Sequence, residues 1–350
     1  MSVTIKDLAR AAGVSVATIS RALNNKGPVS DPVRERILSL SAEMHYVPHG
    51  AARSLVTTRT NTIGVLLPDI CGEFFSELIR GIDLAARRHG YHLLVSGSHG
   101  DRAEAAAVLQ ATRGRVDGLI VMSPDIDGDT LRATLPDSLP IVLLNSPSRD
   151  EEYDSIRVDN YGGAFAMVRH LVDLGYRRIA HVGGPAANHD AQERLRGYRE
   201  ALEALGAEHQ AELEVNGEFT ETGGYQAGKH LLSMSPRPQA VFAANDVTAV
   251  GVLCAFTEAG VRVPEDIAVT GFDDIPIARY ITPPLTSVQV PIETLGTRAL
   301  ERLLLAIDLK NHHERVREVL PATLMVRQSC GANTGTTRPM RRATPRRRTP

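Results

Sequence analysis

Apolar positions recur with one period at the start of this chain and with another after about residue 60. In "TIKDLARAAGVSVATISRALNN", residues 4–25, Ile5, Leu8, Ala9 and Ala12 keep the spacing of one helix face. Thr4 stands where an N-cap accepts from free backbone N–H groups, and Asp7 follows three residues later, as in a capping box. Gly13 ends the pattern, because a residue free to take positive φ closes a helix. Val14 can plug the corner. Ser15 then caps a second pattern through Ala17, Thr18, Ile19, Ala22 and Leu23. Small Ala9, the turn at Gly13 and apolar Ile19 suit two helices crossing closely at a steep angle, the helix-turn-helix arrangement. Ser30, Asp31 and Pro32 begin a third helix to about Met44, with Val33, Ile37, Leu40 and Met44 on one face.

From residue 61 short, β-branched runs replace that pattern. "TIGVLLPD", "YHLLVS", "DGLIVM" and "IVLLNS" alternate with helical stretches, the first over roughly 73–89. The beat resumes with "RIAHVGG", helices near 190–205 and 222–232, "AVFAAND", a helix near 247–259 and "IAVTGFDD". Buried strands alternating with amphipathic helices predict parallel sheets covered on both faces. The strands outnumber what one sheet holds, so two α/β subdomains dividing near residue 160 are expected. A ligand then belongs at the carboxyl ends of the strands.

Charge separates head from body. The net charge of −2 conceals +4 over residues 1–60, +6 over residues 331–350 and −12 between them. A basic head agrees with a phosphate-facing surface, and a basic head on an acidic body suggests a DNA reader joined to a different kind of domain. On the second helix Val16, Ser20, Arg21 and Asn24 are offered outward; none is acidic, and Arg21 can take a guanine edge bidentately. A helix–Gly–helix corner alone also fits any small helical domain. The tail "RPMRRATPRRRTP" is too rich in Pro and Arg to fold alone, and is expected to be a solvated terminus rather than a second DNA contact.

Other classes find little support. The three cysteines are odd in number and far apart, against a disulfide framework or a thiolate zinc site. His312–His313 reads as a solvated loop, and no metal is expected. There is no nucleophile elbow or Walker loop, and Gly183-Gly184-Pro185 lacks the dinucleotide spacing, so no enzyme, catalytic residue or cofactor is expected. No apolar run reaches the length of a membrane span and no signal-peptide core opens the chain, which predicts a cytoplasmic protein.

The strand ends carry the candidate ligand chemistry. They finish in Asp69, Ser123, Asn145, Asn245 and Asp273–Asp274, with Phe74, Phe75 and Phe219 close behind strands in a chain of only seven Phe and no Trp. Aromatic faces beside carboxylates and amides can stack a sugar ring or a base while bonding its edges. Each also has a plainer reading, as core packing for a Phe or a helix cap for an Asn.

These residues resemble the lactose-repressor (LacI) family of bacterial transcription regulators over about residues 3–330. The likeness lies in "TIKDLARAAGVSVATISRALN", "VSDPVRERI", "AARSL", "ERLRGYREAL", "AANDVTAVGVL" and "VTGFDDIPIARYITPPLTSV". It implies a helix-turn-helix headpiece, residues 1–47, and a hinge or linker helix, 48–60. A periplasmic-binding-protein-like body of two doubly wound α/β subdomains follows over 61–330, for effector binding and dimerisation. Its first subdomain spans about 61–160 with 289–320, its second about 161–288 with 321–330, and 331–350 is a disordered basic tail.

The resemblance also implies roles. Thr4, Ser15, Val16, Ala17, Thr18, Ser20, Arg21, Asn24, Ser30 and Tyr46 fall to DNA binding, and Leu55 matches a wedge that unstacks a central base step in the minor groove. Asp69, Phe74, Phe75, Ser123, Asn145, Arg194, Phe219, Asn245 and Asp273 fall to the effector. His49–Gly50 depart from the pattern before "AARSL"; because Gly costs about 1 kcal/mol in a helix, the hinge helix is expected to be weaker or to start only at Ala51. Asn145 stands where several members have Asp, and the tail lacks leucine heptads. The expected protein is a homodimeric repressor on a pseudo-palindromic double-stranded operator, controlled by a small-molecule effector bound between the two subdomains, with a sugar favoured and no membrane partner. The alternatives are a corepressor- or protein-regulated member, or a solute-binding protein without a DNA role.

Overall fold

The computed structural model describes residues 3–23, 27–46, 59–123, 126, 128–146, 153–207 and 209–332. Asn24, Leu55 and the hinge segment around Ala51 lie outside the described residues, as does the tail from 333 onward. Two compact units are present, the head up to Asn61 and the body from Thr62.

The head contains α1 (Ile5–Ala12), α2 (Val16–Leu23) and α3 (Asp31–Glu43). Thr4 and Asp7 form the reciprocal capping box, so two otherwise orphaned N–H groups are satisfied. Gly13 has φ 65°, a left-handed conformation that lets the α1 terminus close on the Ala9 and Arg10 carbonyls. Ser15 Oγ accepts from the Thr18 N–H at 3.1 Å and caps α2. Ser30 sits at the N-cap of α3, but its side chain makes no cap bond; the Pro behind it carries the start instead. Leu8, Ala9, Ala12, Ile19, Ala22 and Ile37 close one small core, with Val33, Leu40, Met44 and Tyr46 packed around it.

The body holds two six-stranded sheets. The first has the order β11-β5-β4-β3-β1-β2, with all neighbours parallel. Its strands are β1 (Thr62–Leu67), β2 (His92–Gly97), β3 (Gly118–Val121), β4 (Ile141–Leu144), β5 (Asp154–Val158) and β11 (Arg317–Leu320). The second has the order β12-β10-β9-β8-β6-β7, parallel except for β12 against β10. It comprises β6 (Ile179–Gly183), β7 (Glu214–Asn216), β8 (Ala240–Ala243), β9 (Ala268–Asp273), β10 (Thr286–Gln289) and β12 (Thr323–Met325).

Helices cover both faces of each sheet. α4 (Glu73–Arg88) and α11 (Ile292–Asp308) share one face of the first sheet; α5 (Arg102–Thr112) and α6 (Gly128–Thr134) take the other. In β1, Ile63, Val65 and Leu67 point to the first layer and Leu66 to the second, the period-2 alternation of a strand buried on both faces. On the second sheet α7 (Asn160–Asp173) and α8 (His189–Ala204) oppose α9 (Glu221–Ser233) and α10 (Asp246–Glu258). α4 and α11 meet at glycines: a Cβ added at Gly296 would stand 2.6 Å from the Leu78 carbonyl oxygen. The chain passes between the sheets three times, after β5, after β10 and after β11.

Polar strands escape the periodicity. β5 contains Asp154, Ser155 and Arg157, and β7 is three residues long. Asp154 tolerates burial because His313 Nε2 lies 2.5 Å away, Arg302 2.6 Å away, and the Val316 N–H donates to it at 2.8 Å. His313 therefore corrects the expectation of a solvated loop. Its side chain is 4% exposed and serves a buried ion cluster. Among the described residues no group of His, Cys, Asp or Glu could hold a metal, and no helix is long and apolar enough to cross a membrane.

Candidate functional site

Arg194, on the second turn of α8, is the hub of the cleft side of the second sheet. It is 5% exposed. Its Nε donates to Asn160 Oδ1 at 2.8 Å, its Nη1 to the Ala244 carbonyl at the end of β8, and its Nη2 to Asp273 Oδ1 at 3.1 Å at the end of β9. The guanidinium lies over the Phe272 ring, 3.8 Å from its centroid, with the Phe219 ring at 5.6 Å. Of five N–H donors these bonds use three, and Asp273 keeps a second carboxylate oxygen. Donors and acceptors thus stand side by side beside an aromatic face. That is the demand of a hydroxyl, which both donates and accepts.

Local backbone geometry aims this group. Asp273 has φ 100° and Asp274 φ 54°, conformations unfavourable to most side chains, so the end of β9 turns sharply as it leaves the sheet. Phe219 has φ 57°, and its ring packs on Gly184, where an added Cβ would clash with three of the ring carbons. Asn245 caps α10 by accepting from the Thr248 N–H at 2.9 Å, while its amide donates to the Phe219 carbonyl at 3.3 Å. Asn245 is therefore both a cap and the tether of the Phe219 loop.

The carboxyl groups differ in state. Burial raises the Asp190 pKa to about 6, with Arg194 opposing and the Asp273 charge adding. Asp273 is also raised by burial, against the pull of Arg194. Asp246 is fully buried and raised well above the carboxylate range by burial, with Asp273 adding; it is held by Ser287 and the Ile275 N–H. Asp274 is tied to Arg327, Arg279 and Gln289 and braces the turn.

Asn160 and Asp190 escaped the sequence reading. Asn160 Nδ2 donates to Asp190 Oδ1 at 2.9 Å, which extends the Arg194 network toward the first sheet. The signal available was a polar residue after each of two strands, but Asn160 follows a strand that itself was not recognised. Asn145, at the end of β4 with φ 45°, accepts from the Val158 N–H at 3.1 Å, and its side chain helps to lower the pKa of the Asp190 carboxyl across the cleft. A bridge joins the Glu73 carboxylate at the start of α4 to the Ile277 N–H at 2.8 Å.

The other expected residues stand apart from the hub. Asp69 is exposed and accepts from the Cys71 N–H at 2.9 Å in a local turn. Phe74 and Phe75 pack edge to face, with centroids 5.4 Å apart, against the body core. Ser123 is buried, and its hydroxyl has no hydrogen-bond partner among the described residues. Among those residues none of the four bonds or stacks on the Arg194 group. A cavity of about 440 Å³ lies elsewhere, between α4 and the β10–α11 crossing, lined by residues such as Arg80, Arg279, Tyr280 and Glu293. None of the expected effector residues lines it.

In the head, Ser15, Val16, Ala17 and Arg21 are exposed along one side of α2, Thr18 and Ser20 are half-buried, and Ile19 and Ala22 face inward. Thr4 and Ser30 are exposed at helix starts, and Tyr46 is half-buried against the head core.

Comparison with known proteins agrees with both halves. Residues 4–49 match the model of the lacI family of bacterial regulatory proteins, and residues 168–330 match the periplasmic binding protein-like domain. The chain is 34% identical to the HTH-type transcriptional repressor PurR of Photobacterium profundum, over 93% of this chain and 98% of that one. It is 36% identical to the ribose operon repressor of Escherichia coli, over 86% of this chain and 92% of that one. The crystal structure of the Lac repressor dimer, bound to operator and the anti-inducer ONPF, superposes with a TM-score of 0.83 at 29% identity, covering 94% and 99% of the two chains.

Proposed function

The chain belongs to the lacI family of bacterial regulatory proteins, and we propose that it is a homodimeric transcriptional repressor whose operator affinity is set by a sugar bound between its two subdomains. The carrying observation is that one chain joins a capped helix-turn-helix to a body whose Arg194–Asp273 pair keeps unused donors and an unused acceptor under Phe219. The excess of carboxylates over Arg194 disfavours a strongly anionic ligand, and a ribose operon repressor among the relatives supports a sugar.

In this reading residues 1–47 read DNA, 48–60 connect, and 61–330 bind effector and partner subunit. Arg194 and Asp273 hold vicinal hydroxyls with Asp190 beside them on α8, Phe219 covers an apolar ring face, and Ser123 and Asn145 approach from the first-sheet side. Phe74, Phe75 and Asp69 line the rim, and Leu55 wedges the operator centre. Such a repressor acts in the cytoplasm, where its operator is. The effector works through differential affinity: it shifts the dimer only by as much as it prefers one subdomain arrangement over the other. The Glu73–Ile277 bridge, together with the three crossings, is what such a shift rearranges.

A thermal-shift screen of sugars and nucleosides identifies the ligand, and fluorescence anisotropy then follows operator release. The expected result is salt-dependent, sequence-selective duplex binding that a stabilising sugar weakens. A chain that bound no duplex selectively, or a stabilising sugar that left operator affinity untouched, would overturn the reading.

A further inference from the structure

We infer that Asp246 and Ser287 are positioning residues of the effector site: out of reach of any ligand, they hold the turn that aims Asp273 at Arg194. The inference rests on the cleft reading above and adds the residues that keep its geometry.

The consecutive residues Ala244, Asn245 and Asp246 each hold a different part of the site. The Ala244 carbonyl accepts from Arg194 Nη1, and the Asn245 amide donates to the Phe219 carbonyl. Asp246, the first residue of α10, holds the remaining part. Its Oδ2 accepts from the Ile275 N–H at 2.9 Å, and its Oδ1 accepts from Ser287 Oγ at 2.5 Å. Ser287, on β10, in turn accepts from the Asp274 N–H at 3.1 Å. The two backbone amides that follow Asp273 are therefore tied to one carboxyl group, one directly and one through a hydroxyl.

That tie acts where the backbone needs it. Asp273 and Asp274 both hold positive φ, and such conformations persist only where the surroundings over-determine them. The Val290 N–H, donating to the Asp273 carbonyl at 3.1 Å, anchors the turn to the start of the crossing into α11. Asp246 and Ser287 anchor it from the α10 side. Held between these anchors, the Asp273 carboxylate meets Arg194 Nη2 at 3.1 Å.

A packing role alone does not account for this carboxyl. Asp246 and Ser287 are fully buried, so neither meets a ligand. Burial disfavours an ionised Asp246, and the Asp273 charge adds to that, so an apolar side chain would fill the space at lower cost. The carboxyl is also seated against the β9 backbone, where a Cβ at Gly271 would lie 2.1 Å from its Oδ1. What it adds over an apolar residue is its pair of hydrogen bonds to the turn.

Melting midpoints of the parent, Ser287→Ala, Asp273→Ala and the double variant form a cycle that needs no ligand. The drop caused by Asp273→Ala should be no more than about half as large in Ser287→Ala as in the parent, because the pair is already misaimed. Additive drops would overturn the inference. The second measurement is calorimetric titration, below the midpoints, with the sugar that stabilises the parent most in the screen. Ser287→Ala and Asp246→Ala should bind it about tenfold or more weakly. Asp246→Asn keeps an acceptor for the Ile275 N–H and offers Ser287 Oγ an amide donor, so it should bind within about twofold of the parent. Parent-like affinity in Ser287→Ala, or equal losses in Asp246→Asn and Asp246→Ala, would also overturn it. Ser287→Ala removes a single hydroxyl and carries the test if Asp246→Ala does not fold. If no sugar stabilises the parent, the cleft reading falls, and the melting cycle still decides whether Asp246 and Ser287 hold Asp273.

Discussion

Deleting the Asp273 carboxylate separates the stability of the cleft from its response to ligand. The Arg194 and Asp273 side chains are 6% and 9% exposed, so the pair is out of water. In Asp273→Ala the guanidinium keeps Asn160 and the Ala244 carbonyl but loses its counter-charge. Breaking a buried pair from one side costs about 3–5 kcal/mol, because the remaining charge is left uncompensated. Alanine at φ 100° is also strained, whereas Asn tolerates positive φ better and keeps an acceptor oxygen for Arg194. In a body of this size each kcal/mol moves the midpoint by about 2–4 °C, so Asp273→Ala should melt about 6–20 °C lower, and Asp273→Asn should recover part of that. With no Trp in the chain, far-UV circular dichroism or calorimetry is the assay. Below the lowered midpoint both variants should still bind operator and ignore the effector. A Asp273→Ala protein melting within about 2 °C of the parent would refute the reasoning that the pair compensates a buried charge.

Arg21→Ala should cost about 1–3 kcal/mol per half-site and relax preference at one base pair, measured by anisotropy on single-base operator variants; equal weakening on all sequences would make Arg21 a phosphate contact. His181 is fully buried between Tyr198 and Phe242, and burial lowers its pKa from 6.5 to about 4. The unfolded chain therefore binds the extra proton first, and stability present above pH 6.5 is lost as pH falls toward 4, by about 2 kcal/mol between pH 7.5 and 5. Urea midpoints of the parent and His181→Phe at the two pH values check this, the variant having a flatter dependence. Gly184→Ala should displace the Phe219 ring that its Cβ would clash with, weakening effector binding about tenfold or more in calorimetry while operator binding is unchanged.

The local code of the head was legible residue by residue. The Thr4–Asp7 box, the positive-φ turn at Gly13, the Ser15 cap and the inward Ile19 depend on neighbours three or four positions away, and a linear pattern records such distances. The alternation of buried strands and covered helices was legible for the same reason. Burial on two faces forces continuous apolar runs, as in β1, β3, β4 and β8. Other features depend on contacts that no period encodes. β5 reads as polar because Asp154 is paired with Arg302 and hydrogen-bonded by His313, about 150 residues ahead, and only the fold brings those side chains to it. Arg194 meets Asn160 and Asp273 from opposite directions in sequence, since three strand ends converge on one helix turn. Asp190 reads as an ordinary first-turn acid, and becomes a weakly acidic member of the cleft only where burial outweighs Arg194. The sequence by itself determined the head helices, most of their caps and the strands buried on both faces, because those follow from near neighbours. Which side chains lose water together, and so change their charge, strain and partners, was decided by the tertiary structure alone, because desolvation is a property of the assembled surroundings.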